Sequence, residues 1–395
     1  MVNENDINSI AVVGAGTMGK EIAQVALMAG FEKVYLNDIK KETLNSAINI
    51  IRNNLLKLEK KGKLNNGITT EDLMKKLKAT LELSKVVSRA ELVIEAIPEK
   101  MELKQALFKK LGELTPKSTI LASNTSTMSI SEIASSSGKE DKVVGMHFFI
   151  PVVVLRLIEV IKGKKTSDEV FETSIKVAKR FPSLKGKRYV ARIEKETPGF
   201  IVNRLTIATS LYLSWLLDHA SENGIEIEKI DNDVAKSPEL GPYAKWDYLG
   251  LDVVCNALNY FNKTVSEEFR PGKVLTKLVN EGKLGKKTGE GLYKWVEGKP
   301  IRKTEERANL FDINLYYAIQ LNEGCRLLGE GVVKNYKVID DTMLAGMDMP
   351  GPFSAGKRNY EKWTKLLEQF SKQSNLTYIL PCELMRTGKF LQMKK

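Results

Sequence analysis

Residues 9–19 read S-I-A-V-V-G-A-G-T-M-G, an apolar run that leads directly into three closely spaced glycines. The run Ser9–Val13 is typical of a short buried strand, and apolar side chains recur at helical spacing after the glycines. A second apolar run, Lys33–Leu36, follows and is succeeded by Asp38. The pattern therefore predicts a strand–helix–strand unit with a tight turn between its first strand and its helix.

The glycines of this turn, Gly14, Gly16 and Gly19, have the spacing of a dinucleotide-binding loop. Such a loop lets backbone N–H groups approach a pyrophosphate, and the helix N-terminus favours its negative charge. Asp38 is positioned to accept hydrogen bonds from both ribose hydroxyls and would repel a 2′-phosphate, so the predicted cofactor is NAD. The neighbouring lysines 40 and 41 weaken this preference and leave NADP as an alternative. The loop residues assigned to cofactor binding also include Ala15, Thr17 and Met18.

Further apolar runs at 92–96, 119–122 and 143–146 predict additional strands, separated by helical patterns such as 100–111. They extend the first unit to a doubly wound, Rossmann-type α/β domain over residues 1–194. At Thr197 the pattern changes, and T-P-G-F-I-V-N-R predicts a helix capped by that threonine and continuing to about His219. The predicted fold is therefore an α/β domain followed by all-α domains at 195–298 and 299–395.

Three short motifs occur twice, in the same order, within the helical part. The first copy has G-I-E-I-E-K-I-D at 224–231, G-P at 241–242 and G-K-L at 282–284, and related motifs lie at 331–340, 351–352 and 388–390. A nearly constant offset favours duplication of a helical unit of about a hundred residues. Two such units could pack against each other within one chain, so the expected state is a monomer or a homodimer.

Composition limits the classes of function. The chain has 395 residues and a formal net charge of +12, from 61 Lys and Arg against 49 Asp and Glu. This charge favours polyanionic partners, and without a basic arm or an RNA-binding motif a phosphate-bearing substrate or cofactor is favoured over nucleic acid. The three cysteines lack metal-ligand spacing, so we expect no metal site and no disulfide framework.

The longest apolar stretch, 146–161, contains Pro151 and Arg156 and is shorter than the roughly 20 residues of a membrane span. The first residues, M-V-N-E-N-D-I-N, lack the basic and apolar regions of a secretory signal. We therefore expect a cytoplasmic protein without membrane association.

Several later segments follow one another in a specific order. They are S-N-T-S-T at 123–127, G-M-H-F-F-I-P at 145–151, L-I-E-V-I at 157–161, T-P-G-F-I-V-N-R at 197–204 and K-L-G-K-K-T-G-E-G-L-Y at 283–293. Together with the glycine loop, they resemble the L-3-hydroxyacyl-CoA dehydrogenase family over roughly residues 7 to 296. The resemblance implies NAD-dependent interconversion of a 3-hydroxyacyl-CoA and a 3-oxoacyl-CoA, with an acyl-CoA as the substrate.

Oxidation of a secondary alcohol requires a base for the hydroxyl proton and donors that stabilise the developing carbonyl oxygen. His147, one of only two histidines, is predicted to lie just after a strand, at the carboxyl edge where open α/β sheets bind ligands. Glu159 interrupts an apolar strand, where an ionised carboxylate is costly unless it is paired. The resemblance implies that His147 is the catalytic base and that Glu159 orients its imidazole.

Other site residues follow only from the resemblance. Ser126 and Asn203 match donors beside the substrate oxygen and the nicotinamide, and Ser126 is assigned to the catalytic, cofactor and substrate sites alike. Weaker matches are Glu99, Lys104 and Lys287 near the cofactor, and Asn54 and Lys61 near CoA, with Asn54 where a serine is usual. Ordinary surface charge is the competing interpretation for the charged residues among them.

One position departs from the family pattern, because Ile150 stands where H-F-F-N-P has its asparagine. Isoleucine donates no hydrogen bond, and losing one typically costs on the order of 1 kcal/mol. We expect altered cofactor affinity, rate or substrate preference rather than lost chemistry. Two alternatives stay open: a dehydrogenase of a free hydroxy acid, as in the related gulonate dehydrogenases, and a non-catalytic NAD-binding protein.

Overall fold

The computed structural model describes residues 7–64, 67–235 and 239–394. The chain forms two compact units: Met1–Phe200 with Gly331–Gly351, and Ile201–Glu330 with Pro352–Lys395. The acidic start used to predict a cytoplasmic location lies mostly outside the described residues. Within the described residues, no helix combines the length and the apolar character that crossing a bilayer requires.

Within the described residues, the first unit is built around an eight-stranded sheet. Its strands are β1 Ser9–Val13, β2 Lys33–Asn37, β3 Leu77–Thr80, β4 Leu92–Glu95, β5 Ile120–Ser123, β6 Val143–Phe148, β7 Leu157–Ile161 and β8 Tyr189–Ile193. They lie in the order β3-β2-β1-β4-β5-β6-β7-β8. The first six run parallel, whereas β7 is antiparallel to β6 and parallel to β8.

The central strands β1, β4 and β5 are buried along their whole length, as expected for a parallel sheet covered on both faces. The helices of this unit are α1 Thr17–Met28, α2 Lys41–Lys60, α3 Thr70–Lys76, α4 Leu83–Val87, α5 Met101–Leu114, α6 Ile130–Ala134, α7 Asp168–Arg180 and, from the later segment, α14 Tyr336–Met347. This alternation of strands and helices confirms the predicted Rossmann-type α/β fold.

The second unit is mainly helical, as predicted. Its elements are α8 Val202–Glu222, α9 Ile227–Val234, α10 Pro242–Leu249, α11 Leu251–Thr264, α12 Lys273–Asn280, the two-residue strands β9 Trp295–Val296 and β10 Lys299–Pro300, then α13 Ile313–Gly329, α15 Pro352–Ser374 and α16 Glu383–Thr387. The predicted start of α8 was wrong. Gly199 and Phe200 have φ angles of 75° and 55°, so their left-handed backbone holds residues 198–201 in a turn.

The segment Gly331–Gly351 lies with the first unit rather than with the other residues after 298. The Glu194 N–H donates to the Val332 carbonyl at 2.9 Å, so the segment is hydrogen-bonded to the chain just beyond β8. A Cβ atom added at Gly346 would lie 2.5 Å from Leu157, which shows how closely α14 packs on β7. The division into domains at residues 194, 298 and 395 stays a prediction.

The glycine of the repeated G-P motif packs against an aspartate in both copies. An added Cβ atom at Gly241 would lie 2.5 Å from Oδ1 of Asp231, and one at Gly351 would lie 2.2 Å from Oδ1 of Asp340. In each copy the glycine before the proline is therefore packed directly on the preceding aspartate, where no larger residue fits. This recurrence supports the duplication inferred from the sequence.

Candidate active site

The glycine loop between β1 and α1 has the shape that a dinucleotide pyrophosphate requires. A Cβ atom at Gly14, whose φ is +99°, would lie 2.5 Å from the Ala96 carbonyl oxygen, and one at Gly19 would lie 1.7 Å from the Gly14 oxygen. A Cβ at Gly16 would instead meet no atom of the described residues within 4 Å. Gly14 and Gly19 thus permit close packing of the backbone, whereas Gly16 leaves open space at the N-terminus of α1. A loop with these properties can accommodate the pyrophosphate of the cofactor.

Asp38 follows β2 and is held against the same loop. Its Oδ2 accepts a hydrogen bond from the Ala15 N–H at 2.8 Å, and its Oδ1 accepts one from the Lys40 N–H at 2.9 Å. Each carboxylate oxygen can accept more than one hydrogen bond, so the group can still receive ribose hydroxyls. The loop thereby fixes the side chain that favours NAD over NADP.

The sequence left two interpretations for Lys104, a role near the cofactor or ordinary surface charge. The side chain is only 1 % exposed, so it is not a surface charge. Its Nζ lies 2.7 Å from Oε1 of Glu95 and 3.1 Å from Oε2 of Glu99. Glu99 in turn accepts a hydrogen bond from the Ser126 N–H at 2.9 Å. The structure therefore links Lys104, Glu99 and Ser126 in one network, in which Lys104 compensates buried carboxylate charge.

Glu95, at the end of β4, is the buried centre of this network and was missed by the sequence analysis. It is 0 % exposed and accepts hydrogen bonds from the Ile97 N–H at 2.7 Å and the Ser123 hydroxyl at 2.6 Å, besides the Lys104 ammonium. The sequence feature that could have identified Glu95 is its position as an acidic residue at the end of the apolar run L-V-I-E. The same feature drew attention to Glu159.

His147 and Glu159 form a buried pair across two adjacent strands. They are directly opposite each other in the antiparallel β6–β7 register, and Nδ1 of His147 lies 2.8 Å from Oε2 of Glu159. The histidine is 5 % exposed and the glutamate 0 %. The paired carboxylate predicted from the cost of burial is thus present. His147 lies within β6 rather than just after it, because pairing with β7 extends that strand to Phe148.

Aromatic rings surround the imidazole. The ring of Phe149 lies 4.3 Å from that of His147, and the ring of Phe200 lies 5.8 Å away, both measured between centroids. Phe200 was not predicted, since its left-handed backbone is what brings it into this position and no local pattern signals that conformation. Two aromatic rings thus pack against the imidazole, which is largely buried.

The residues after His147 are anchored by two side chains from elsewhere in the first unit. The Asn124 side-chain oxygen accepts a hydrogen bond from the Phe148 N–H at 2.9 Å, and Glu21 accepts one from the Val152 N–H at 2.6 Å. Between these anchors, Ile150 precedes a cis proline and is 52 % exposed. The residue that departs from the family pattern thus presents an apolar side chain on the surface beside the histidine strand.

The other predicted site residues lie on α2, at its end or in the second unit. Asn54 on α2 donates a hydrogen bond to Gln24 at 3.1 Å, and Lys61 is exposed at the end of the same helix. Asn203 lies in the first turn of α8, in the second unit. Lys287 also belongs to that unit, where it forms an ion pair with Asp252.

Comparison with known proteins identifies matches along most of the chain. Residues 9–195 match the model of the 3-hydroxyacyl-CoA dehydrogenase NAD binding domain, and residues 199–295 match that of the 3-hydroxyacyl-CoA dehydrogenase C-terminal domain. A probable 3-hydroxybutyryl-CoA dehydrogenase of Deinococcus radiodurans is 36 % identical over 72 % of this chain and 99 % of its own length. The human mitochondrial hydroxyacyl-coenzyme A dehydrogenase is 36 % identical over 73 % of this chain and 91 % of its own.

A solved structure extends the similarity to the C-terminal region. The 3-hydroxybutyryl-CoA dehydrogenase of Escherichia coli K12 is similar over 98 % of both chains, with a TM-score of 0.83 and 27 % identity. The part of this chain beyond the two matched domains, including the second copy of the repeated motifs, therefore has a counterpart in that protein.

Proposed function

The chain belongs to the 3-hydroxyacyl-CoA dehydrogenase family and is an NAD-dependent oxidoreductase, and from that premise we propose how its residues act. The reaction interconverts a 3-hydroxyacyl-CoA and a 3-oxoacyl-CoA, such as 3-hydroxybutyryl-CoA and acetoacetyl-CoA. His147 exchanges the proton of the oxygen on C3. The observation that carries this proposal is the buried hydrogen bond between His147 and Glu159.

The pair assigns a role to each ring nitrogen. Because Nδ1 of His147 hydrogen-bonds to Glu159, Nε2 is the nitrogen that faces the substrate. It takes the hydroxyl proton in the oxidative direction and returns it in the reductive direction, while the Glu159 carboxylate stabilises the protonated imidazole. NAD, when bound, supplies the hydride acceptor.

Ser126 and Asn203 complete the proposal as donors toward the substrate oxygen and the nicotinamide. Support for Ser126 comes from Glu99, which fixes its backbone through the Ser126 N–H. The role of Asn203 rests on the family match of T-P-G-F-I-V-N-R, as do the roles of Lys287 near the cofactor and of Asn54 and Lys61 at CoA. A cytoplasmic location and a monomeric or homodimeric state also stay predictions.

Steady-state reduction of acetoacetyl-CoA, followed by the loss of NADH absorbance, tests the proposed function. We expect turnover with acetoacetyl-CoA and NADH and a far lower kcat/KM with free acetoacetate, because the acid lacks the CoA nucleotide. Equal kcat/KM for the two substrates would favour a dehydrogenase of free hydroxy acids. Binding of NADH without its oxidation by either substrate would favour the non-catalytic alternative suggested by Ile150.

Glu159→Gln tests the second member of the pair. Glutamine keeps the size and an oxygen that accepts the Nδ1 hydrogen bond, but it removes the charge that stabilises the protonated imidazole. We expect kcat for acetoacetyl-CoA reduction to fall by about 10- to 100-fold, within the usual range of acid–base contributions, with little change in the Kd of NADH. Glu113→Gln, at an exposed position of α5, is the matched control. An unchanged kcat in Glu159→Gln would contradict the assigned role.

A further inference from the structure

Two of the three cysteines lie side by side in the second unit. Cys325 belongs to α13, and Cys382 immediately precedes α16. Asn322, one turn before Cys325 on α13, organises the contact: its side-chain oxygen accepts a hydrogen bond from the Cys382 N–H at 2.8 Å. The Cys382 sulfur lies 3.8 Å from the Asn322 carbonyl oxygen. Residues three apart share a helix face, so Cys325 lies on the side of α13 that the Cys382 sulfur approaches.

The Cys325 and Cys382 thiols shift each other's pKa. Their exposure differs, since Cys325 is fully buried and Cys382 is partly exposed. The chain segment that carries Cys382 is held along α13, because the Asn322 side chain also donates to the Ile379 and Leu380 carbonyls at 3.1 and 3.0 Å. The backbone at Cys382 is therefore held against the helix that carries Cys325.

Their ionisation differs as well. The hydrogen bond from Cys325, assisted by the Arg326 guanidinium, lowers the pKa of Cys382 to about 7, although burial acts in the opposite direction. Burial raises the pKa of Cys325, and its hydrogen bond to Cys382 raises it further. At pH 7 and above, much of Cys382 is therefore thiolate, which is the reactive form, while Cys325 stays a thiol.

We propose that Cys325 and Cys382 form a peroxide-reactive pair that closes to an intramolecular disulfide. The Cys382 thiolate attacks one oxygen of hydrogen peroxide, the O–O bond breaks, and a sulfenic acid forms as hydroxide leaves. The Cys325 sulfur then attacks the sulfenic sulfur, and its proton leaves with the hydroxyl group as water. The two sulfurs are oxidised and the peroxide is reduced. This reaction is independent of the dehydrogenase chemistry.

The bond would connect positions 57 residues apart and fasten the segment before α16 to α13. That segment also carries Tyr378, whose hydroxyl donates to the buried Glu323 on α13 at 2.8 Å. A cross-link between distant positions restricts the unfolded chain more than the folded one. The oxidised protein is therefore expected to melt several degrees above the reduced protein.

Peroxide treatment of the full chain tests the proposal directly. After a modest excess of hydrogen peroxide at pH 7.5, a thiol titration under denaturing conditions should find one free thiol instead of three, and peptide mass spectrometry should identify a Cys325–Cys382 cross-link. The Cys255→Ser variant retains the thiols of Cys325 and Cys382, and the same peroxide treatment should convert both to the cross-link. Burial raises the pKa of Cys255, the other partly exposed thiol, so we expect it to react more slowly than Cys382 and use it as the internal control.

Cys382→Ser should abolish the cross-link and retain two thiols after treatment, and its melting temperature before treatment reports whether it folds. Three free thiols in treated wild-type protein would overturn the proposal. Oxidation at Cys255 alone, disulfide-linked dimers, or sulfinic acid at Cys382 beside a free Cys325 would overturn it as well. Because the wild-type measurement decides the question alone, a variant that fails to fold does not weaken the test.

Discussion

Replacement of His147 by alanine is expected to lower kcat for acetoacetyl-CoA reduction by at least 100-fold, since general acid–base groups typically contribute about 10²- to 10⁴-fold. The imidazole is the group that exchanges the proton of the C3 oxygen, and alanine also removes the hydrogen bond between that imidazole and the buried Glu159. The measurement is steady-state NADH oxidation together with the Kd of NADH from fluorescence titration. The Kd should change little, because the glycine loop and Asp38 are untouched.

The second histidine of the chain provides the matched control. His219 lies in the last turn of α8, where its ring stacks on Trp215 at 5.1 Å between centroids. His219→Ala removes the same side chain at a position to which the proposed reaction assigns no role, so kcat should stay within about twofold of wild type. If His147→Ala and His219→Ala had the same kcat, His147 would have no part in proton transfer.

Lys104→Met is expected to destabilise the protein by about 3–5 kcal/mol, because it leaves buried carboxylate charge without its partner. Lys104 is 1 % exposed and lies within ion-pair distance of Glu95 and Glu99. The measurement is the free energy of unfolding of the first cooperative transition in urea. Lys109→Met, on the exposed face of the same helix, is the control and should change this free energy by less than about 0.5 kcal/mol.

A second variant separates the loss of charge balance from the loss of packing. Adding Glu95→Gln to Lys104→Met removes the unpaired charge and should restore part of the lost free energy, which a double-mutant cycle measures as a coupling term. Additive effects of the two substitutions would show that the ion pair contributes no coupling, against the arrangement described here. Conversely, equal unfolding free energies of Lys104→Met and Lys109→Met would contradict the burial of Lys104.

Features that depend on residues close together in the sequence could be predicted from local sequence patterns. The strand at Ser9–Val13 and the glycine turn after it were predicted because strand, glycines and helix follow one another in the chain. That Glu159 has a partner was predicted from a general cost, since a charge in an apolar strand requires one, and the family resemblance pointed to His147 as that partner. The family resemblance added the roles of these residues.

Features that depend on distant contacts were not predicted. Glu95 lies at the end of a strand, and only the fold shows that Lys104 and Ser123 converge on it. The start of α8 was placed too early because the left-handed backbone at Phe200 is set by tertiary contacts such as the packing of its ring against His147. Likewise, the segment Gly331–Gly351 packs with the first unit although its motifs repeat those of the helical part.

A crystal structure with NAD⁺ and acetoacetyl-CoA bound would decide whether His147 exchanges the proton of the substrate, because it measures the distance from Nε2 of His147 to the oxygen on C3. Proton transfer by His147 requires a hydrogen-bond distance of about 2.6–3.2 Å, with Nδ1 still bonded to Glu159. A C3 oxygen that contacts other protein groups, with the imidazole of His147 turned away from the substrate, would contradict it.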